Sequence, residues 1–454
     1  MNLALKNRLR LLFSSAFCLL ALTACDDAYL SWSPDGNSMA FIGNDGLHFA
    51  DADGNLSGTI GEAEQVAWLP DSKRVVITDS FRRARWTDAK EYLTATQQKE
   101  AIELASYIER QIELRGLDAL DKDEKFKQAP QYLTSAAMLY LLETDAPHLK
   151  VIIGKSYDDI VKFCALEIHR LKVREANVAS ESKELWHGLA DIVGARISPD
   201  GRFALIVQKK QSESDLYDLM LMPLEPNANP IKIADIAAEN PAWTPDSRNV
   251  IFMEALDKNN SRTNLASLSL LAVRGDDGAL LKTFSSPSKL LYLVQSANSD
   301  IHCLKDGRIL FSSASVELPA TGRELSGKEN VFSFKLGEHF ARKLMSTNDA
   351  ENEHGVSPMQ VNSDETRLIL GRDHYLHILN LQSGNVDTVE IKETFKPCWR
   401  NADELCFAQP VKEKSANRHD AEIVLHSMST GKERIISNNW PATAVDGILI
   451  EKKK

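Results

Sequence analysis

Apolar and polar positions alternate in short runs along most of this chain, and the runs come in pairs. Met39-Ala40-Phe41, Val75-Val76-Ile77, Phe203-Ala204-Leu205 and Val250-Ile251-Phe252 each follow a tight polar turn, and three of the four turns have a Trp just before them. Period-two alternation, as in Tyr375-Leu376-His377-Ile378-Leu379, suits strands that bury one face. The turns repeat one pattern: Ser33-Pro34-Asp35-Gly36 after Trp32, Pro70-Asp71-Ser72 after Trp68, Ser198-Pro199-Asp200-Gly201, and Thr244-Pro245-Asp246-Ser247 after Trp243. Eroded copies stand at Lys305-Asp306-Gly307, Asn362-Ser363-Asp364-Glu365 and Trp399-Arg400-Asn401-Ala402-Asp403. Pro presets φ, Asp bonds back onto its own turn, and Gly or Ser tolerates the reversal. Hairpins recurring about every 40–50 residues predict the blades of a propeller.

The pattern breaks once. Between Asp71 and Asp200 the spacing is too long for one blade, and the apolar period changes to 3.6. Ala101, Leu104, Ala105, Ile108 and Ile112 share one helix face that Gly116 ends. Pro130 opens a second helix through Leu133, Ala137 and Tyr140. Tyr157, Ile160, Val161, Cys164 and Ile168 read as a third. With strand C of this blade near Val173 and strand D near Leu185 to Leu189, the helices fill the loop between strands B and C. The alternative takes Phe81 to Trp86 as strand C and moves the helices to the opposite face. The expected organisation is therefore a leader over 1–24, the first two blades over 25–87, a helical insertion over 88–170, and the remaining ring over 171–454. Leu56 to Ile60 is expected to complete the first blade. Ala444-Val445-Asp446-Gly447-Ile448-Leu449-Ile450 is either a closing hairpin or half of another blade. The fold class is all-β: a propeller of seven blades, or of eight, with an α-helical insertion in blade two.

The Trp-Ser-Pro-Asp-Gly hairpin resembles the repeat of the TolB family of propellers, and the resemblance runs from Tyr29 to about Ser437 with the one interruption. It implies a shared repeat. No segment matches the amino-terminal domain of that family, and propellers of this kind host enzymes, scaffolds and receptors alike.

Lys6, Arg8 and Arg10 precede a short apolar stretch, Leu11 to Leu22, that reads as a secretion signal. It ends in Leu22-Thr23-Ala24-Cys25, which looks like a bacterial lipobox, so Cys25 is the expected site of acylation and of a membrane anchor. Asp26 and Asp27 follow it. In Gram-negative lipoproteins that this start resembles, Asp after the Cys marks retention at the periplasmic face of the inner membrane. Loss of the leader removes three basic residues and no acid, so the net charge deepens from −11 to −14. That balance argues against nucleic acid as a partner.

Four cysteines remain. Cys398 and Cys406 flank the seventh turn and are candidates for a cross-strand disulfide, against the plainer reading of two buried thiols. Cys303 takes the Trp position of its hairpin and reads as a small core residue. There is no Gly-x-Ser-x-Gly, His-Glu-x-x-His, phosphate-cradling Gly loop or Cys-x-x-Cys. Asp349, Glu351, Glu353 and His354 are weak candidates to hold a hard cation; nothing fixes their geometry, and a solvated acidic loop is the favoured reading. His374 and His377 are three apart on a strand and face opposite sides. No cofactor is implied. The expected function is a lipid-anchored interaction module that presents its ring and helical cap to an envelope protein. The rival is an enzyme or carbohydrate-binding protein, lyase-like, that uses the central channel. Metabolic acyl labelling is expected to mark the wild type and not Cys25→Ser; an unlabelled wild type would remove the anchor.

Overall fold

Each Pro/Asp/Gly turn joins two antiparallel strands, and further hairpins widen each pair into a sheet. The computed structural model describes residues 30–43, 46–210, 216–225, 228–256, 265–294, 300–314, 329–345, 357–371, 376–389, 395–410 and 421–436. Among these, strands form seven antiparallel sheets, one of three strands and six of four, each in chain order. Sheet 1 holds β1 (Leu30–Trp32), β2 (Ser38–Gly43) and β3 (Gly46–Asp51); sheet 2 holds β4 (Gln65–Trp68), β5 (Arg74–Arg83), β6 (Leu166–Glu175) and β7 (Lys183–Gly188). Sheet 3 runs from β8 (Ile192–Ile197) through β9 (Phe203–Lys209) and β10 (Tyr217–Pro223) to β11 (Ile231–Ile236). The innermost strands of the other four are β12 (Ala242–Trp243), β16 (His302–Cys303), β20 (Ser357–Val361) and β24 (Phe395–Trp399).

The core is divided among the seams. Seven apolar clusters each join one sheet to the next, and the last of them joins Cys398, Cys406 and Leu425 of the seventh sheet to Leu30, Trp32 and Phe41 of the first. The sheets therefore contact one another cyclically, with β1 against both β4 and β24. This is a β-propeller, and strand alternation explains it: Val75 and Ile77 face sheet 1 while Val76 faces sheet 3.

The turns also touch in sequence. The backbone N–H of Asp35 donates to Ser72 Oγ, that of Asp200 to Ser247 Oγ, and that of Lys305 to Glu365 Oε2. Arg400 Nε donates to the Gly36 carbonyl at 3.0 Å, linking the seventh turn to the first. The fourth turn position needs a left-handed backbone. Gly36 and Gly201 supply it freely (φ 70° and 71°), whereas Ser72, Ser247 and Glu365 adopt it with φ of 58–59°. Each of these three accepts the hydrogen bond of the preceding turn, so the strained residues are the ones whose side chains tie turns together. Within the first turn the Ser33 hydroxyl donates to Asp35, the largest cause of an Asp35 carboxyl held below its ordinary value.

Between β5 and β6 the chain leaves the sheet as helices: α1 (Trp86–Ala89), α2 (Ala95–Arg115), α3 (Glu124–Gln128), α4 (Gln131–Thr144), α5 (Ala146–Ile153) and α6 (Tyr157–Phe163). Thr94 and Gln97 form a reciprocal cap at the start of α2, and Gly116 ends it. The helices bury Ile108, Leu139, Leu149 and Ile160 in a cluster of their own that reaches only Phe81, Leu166, Ile168 and Leu189 of the flanking strands. Phe81 lies within β5 and Trp86 opens α1, so neither belongs to a separate strand C.

Two expectations are corrected. Leu56 to Ile60 is not a regular strand: the Ser57 hydroxyl accepts the Phe49 N–H that a strand carbonyl would take, leaving one isolated bridge at Leu56. The third helix stops at Phe163, because Cys164 turns extended and Leu166 pairs with Arg83, so Ile168 is in a strand. The candidate hairpin over 444–450 lies outside the described residues.

Replacing Ser72 tests the turn relay. Ser72→Gly loses the bond but relieves the backbone, whereas Ser72→Ala loses the bond and keeps the strain. Thermal denaturation should find Ser72→Ala below wild type, and below Ser72→Gly by about 1 kcal/mol; an Ala variant as stable as wild type would refute the relay.

Candidate functional site

Strands β5 and β6 run well past their neighbours. Gln65, the first residue of β4, pairs with Thr78, yet β5 and β6 stay paired out to Arg83 and Leu166. This two-stranded extension carries the helices, and its alternation gives it two chemically opposite faces.

Asp79, Phe81, Arg170 and Lys172 lie on the face toward sheet 1. Asp79 is only 4 % exposed and accepts a two-pronged bond from Arg170, Nε to Oδ1 and Nη2 to Oδ2, both at 2.8 Å, while Lys172 Nζ also bonds its Oδ2. The Arg170 guanidinium lies 4.3 Å over the Phe81 ring, and Arg83 covers the same ring at 4.7 Å and bonds the Tyr92 hydroxyl of the helical segment. Asp79, Phe81, Arg170 and Lys172, with Leu47 of β3 and Ile60 and Gly61 beside it, line a cleft of about 240 Å³. That volume lies below the range of drug-sized ligand pockets, about 300–1,000 Å³. Two cations share one carboxylate here, so unused N–H donors of Arg170 and Lys172 suit a small acceptor group.

Ser80, Arg82, Glu167 and His169 occupy the other face, toward sheet 3. Ser80 donates to Glu64, and Arg82 pairs with Glu167 at 3.7 Å. His169 is 8 % exposed; its Nδ1 makes no hydrogen bond and stands 3.8 Å from the Asp191 carboxylate. Glu64 and Asp191 immediately precede the innermost strands β4 and β8, whose Gln65 Nε2 and Val193 carbonyl are bonded at 2.7 Å. The cluster therefore sits at the rim from which the helices project. Crowding by protein atoms raises the Glu64 carboxyl above its ordinary value although its side chain still reaches solvent. The Ser80 bond and His169 oppose that rise, and Asp191 and Glu167 add to it.

A third cluster lies in the helices. Ligand-bearing atoms of Glu109, Asp145 and His148 fall within 4.8 Å of one another, the one such grouping among the described residues. His148 Nε2 already has Glu113 at 2.8 Å, so it needs no ion for a partner.

Of the residues singled out from sequence, Cys25, Asp26, Asp27, Asp349, Glu351, Glu353, His354 and His374 lie outside the described residues. Cys398 and Cys406 are directly opposed across β24 and its neighbour and are both buried. They are free thiols, so the structure holds the pair without the bridge. Cys303 is half-buried at its seam, not fully in the core. His377 is buried against Thr388. The ionic faces of the long hairpin were missed, although charged residues at every second position, Arg170, Lys172 and Arg174, were a signal of alternation.

No family model matches the chain, and no curated protein does. Solved structures do. TolB from Acinetobacter baumannii is 11% identical over 61% of this chain and 61% of its own, with a TM-score of 0.38. The β-propeller domain of the Trilobed protease from Pyrococcus furiosus is 13% identical over 63% of this chain and 90% of its own, TM-score 0.36. An acylaminoacyl peptidase from Pyrococcus horikoshii is 14% identical over 60% of this chain and 42% of its own, TM-score 0.38. The match thus spans about three fifths of TolB. The propeller assignment rests on strand order and on the cyclic contact of the sheets.

Glu64 gives a pH test. Its value is raised in the folded state, so the protonated form favours folding at low pH and that contribution is lost as pH rises through the raised value. Glu64→Gln should therefore melt higher than wild type near pH 7, with the gap closing toward the ordinary glutamate value. Parallel melting curves across pH 4–8 would refute the assignment.

Proposed function

We propose that the chain is an interaction module of the bacterial envelope: a seven-bladed propeller with a helical insertion in blade two, held through acylated Cys25 at the periplasmic face of the inner membrane. Its partner is an envelope protein that engages the insertion. One observation carries this reading: a helical unit with its own core is mounted on a hairpin that outruns the ring, and it still exposes Ile102, Leu114, Val151, Val161 and Phe163. A lid that only closed the channel would not need a separate core or that much uncovered apolar surface.

Arg83 and Leu166 are cross-strand partners, so residues 84–165 can be replaced by a short Gly/Ser turn without disturbing the seams. The trimmed ring should fold and melt cooperatively but lose the envelope proteins that crosslink to the wild type. Retention of every partner would place binding on the turn face or in the channel. Activity or sugar binding in the channel, the rival reading, would survive the same deletion.

A further inference from the structure

The geometry points to a second contact for the helical unit: we propose that its outer surface, around α5 and α6, rests on the phospholipid bilayer itself. The inference rests on acylation of Cys25. It starts from which rim each segment leaves.

All the Pro/Asp/Gly turns lie on one face, as their mutual hydrogen bonds require. The start of β1 and the end of β5 are the strand ends remote from those turns, in adjacent sheets, so the tether and the helices leave the same rim. Four residues stand between Cys25 and Leu30, and five extended residue steps reach at most about 17 Å. From Thr78, opposite the start of β4, to Arg83 the hairpin adds five residues, about 17 Å of projection. The helices leave and rejoin the hairpin at its tip, at Trp86 and Phe163, and pack back on Phe81 and Ile168, and a single helix is about 10–12 Å across with its side chains. The tether is thus too short to hold the ring farther from the bilayer than the helices project. An acylated chain brings them to the lipid surface.

The surface that arrives there suits an interface. Val151 is 80 % exposed and Leu114 66 %, with Val161 and Phe163 also exposed. The ammonium groups of Lys150 and Lys162 lie 5.7 and 5.3 Å from the rings of Tyr157 and Phe163, so cations and aromatics stand beside the bare apolar groups. From Ala146 to Phe163, the turn between α5 and α6 included, the lysines are 150, 155 and 162 and the acids Asp158 and Asp159, against the acidic balance of the whole chain. No described helix is long and apolar enough to cross a membrane, and a surface contact needs none. A protein partner of the same helices would be met at the membrane surface.

Nitroxide labels test this in the full-length acylated protein, reconstituted in vesicles of phosphatidylethanolamine and phosphatidylglycerol. One label is placed at Val151→Cys and a control at Lys73→Cys on the turn face, where Lys73 is exposed. Burial pushes the Cys164 and Cys303 thiols up to about 12, and the hydrogen bond with Cys406, then burial, holds Cys398 well above its ordinary value, which directs the reagent to the introduced thiol. On reconstitution the Val151 label should lose contact with an aqueous nickel chelate and gain contact with dissolved oxygen, while the Lys73 label stays aqueous. Acylated, vesicle-bound protein with both labels aqueous would overturn this inference alone. Protein that mass spectrometry shows to carry no acyl chain would overturn the Cys25 reading and this inference with it.

Discussion

The Trp68 indole N–H reaches the Ser31 carbonyl of the sheet before it at 3.0 Å, Trp243 reaches Arg196 at 3.0 Å, and Trp399 reaches Gln360 at 3.3 Å. In each case the acceptor precedes the last residue of the neighbouring innermost strand. A buried Trp thus fills the seam with its ring and fixes the rotation of one sheet on the next with its N–H. Removing an aromatic of this size from a core costs about 3–5 kcal/mol, a large share of a domain's stability. The seam apolar clusters and the turn relay both presuppose that rotation.

The seam between the first and the seventh sheet is built differently. The Trp32 N–H has no partner among the described residues. Arg400 lies 5.0 Å over the Trp32 ring instead and bonds the Gly36 carbonyl and the Glu404 carboxylate. Beneath it Cys398 and Cys406 face each other as thiols among Leu30, Met39 and Ile423. A cation–π contact and apolar packing hold the first and seventh sheets together where a hydrogen bond holds the other Trp seams. The Gly36 position admits no larger residue, since a Cβ there would stand 2.8 Å from the Arg400 carbonyl oxygen.

The β5–β6 hairpin is where ring and helices become one object. Its inner half is ordinary blade, with Val76 and Leu171 in the seam core. Its outer half exchanges apolar residues for the Asp79–Arg170–Lys172 set on one face and the Glu64–His169–Asp191 cluster on the other. Beyond its neighbouring strands the hairpin packs its apolar residues Phe81, Leu166 and Ile168 on the helices alone, and paired charges and stacked aromatics fill the rest. The chain of Arg170, Phe81, Arg83 and Tyr92 then transmits the hairpin's orientation to the helices.

Local chemistry makes the repeat legible. Pro, Asp and Gly set the turns, alternation sets the strands, and the 3.6 period with Gly116 and Pro130 sets α2 and α4, because each of these acts within a few residues. The expected acylation at Cys25 is likewise a statement about a short motif. What local pattern does not contain is distance. The bridge between Cys398 and Cys406 was conceivable from their spacing, and whether two opposed thiols bond depends on strand geometry that only the folded sheet supplies. The irregular edge at Ser57 depended on a hydroxyl meeting the Phe49 N–H. Asp79 meets Arg170 across more than eighty intervening residues of helix, and Glu64 and Asp191 meet His169 only because two sheets abut. Those groups gain their shared environment from ring closure, so no reading along the chain could bring them together.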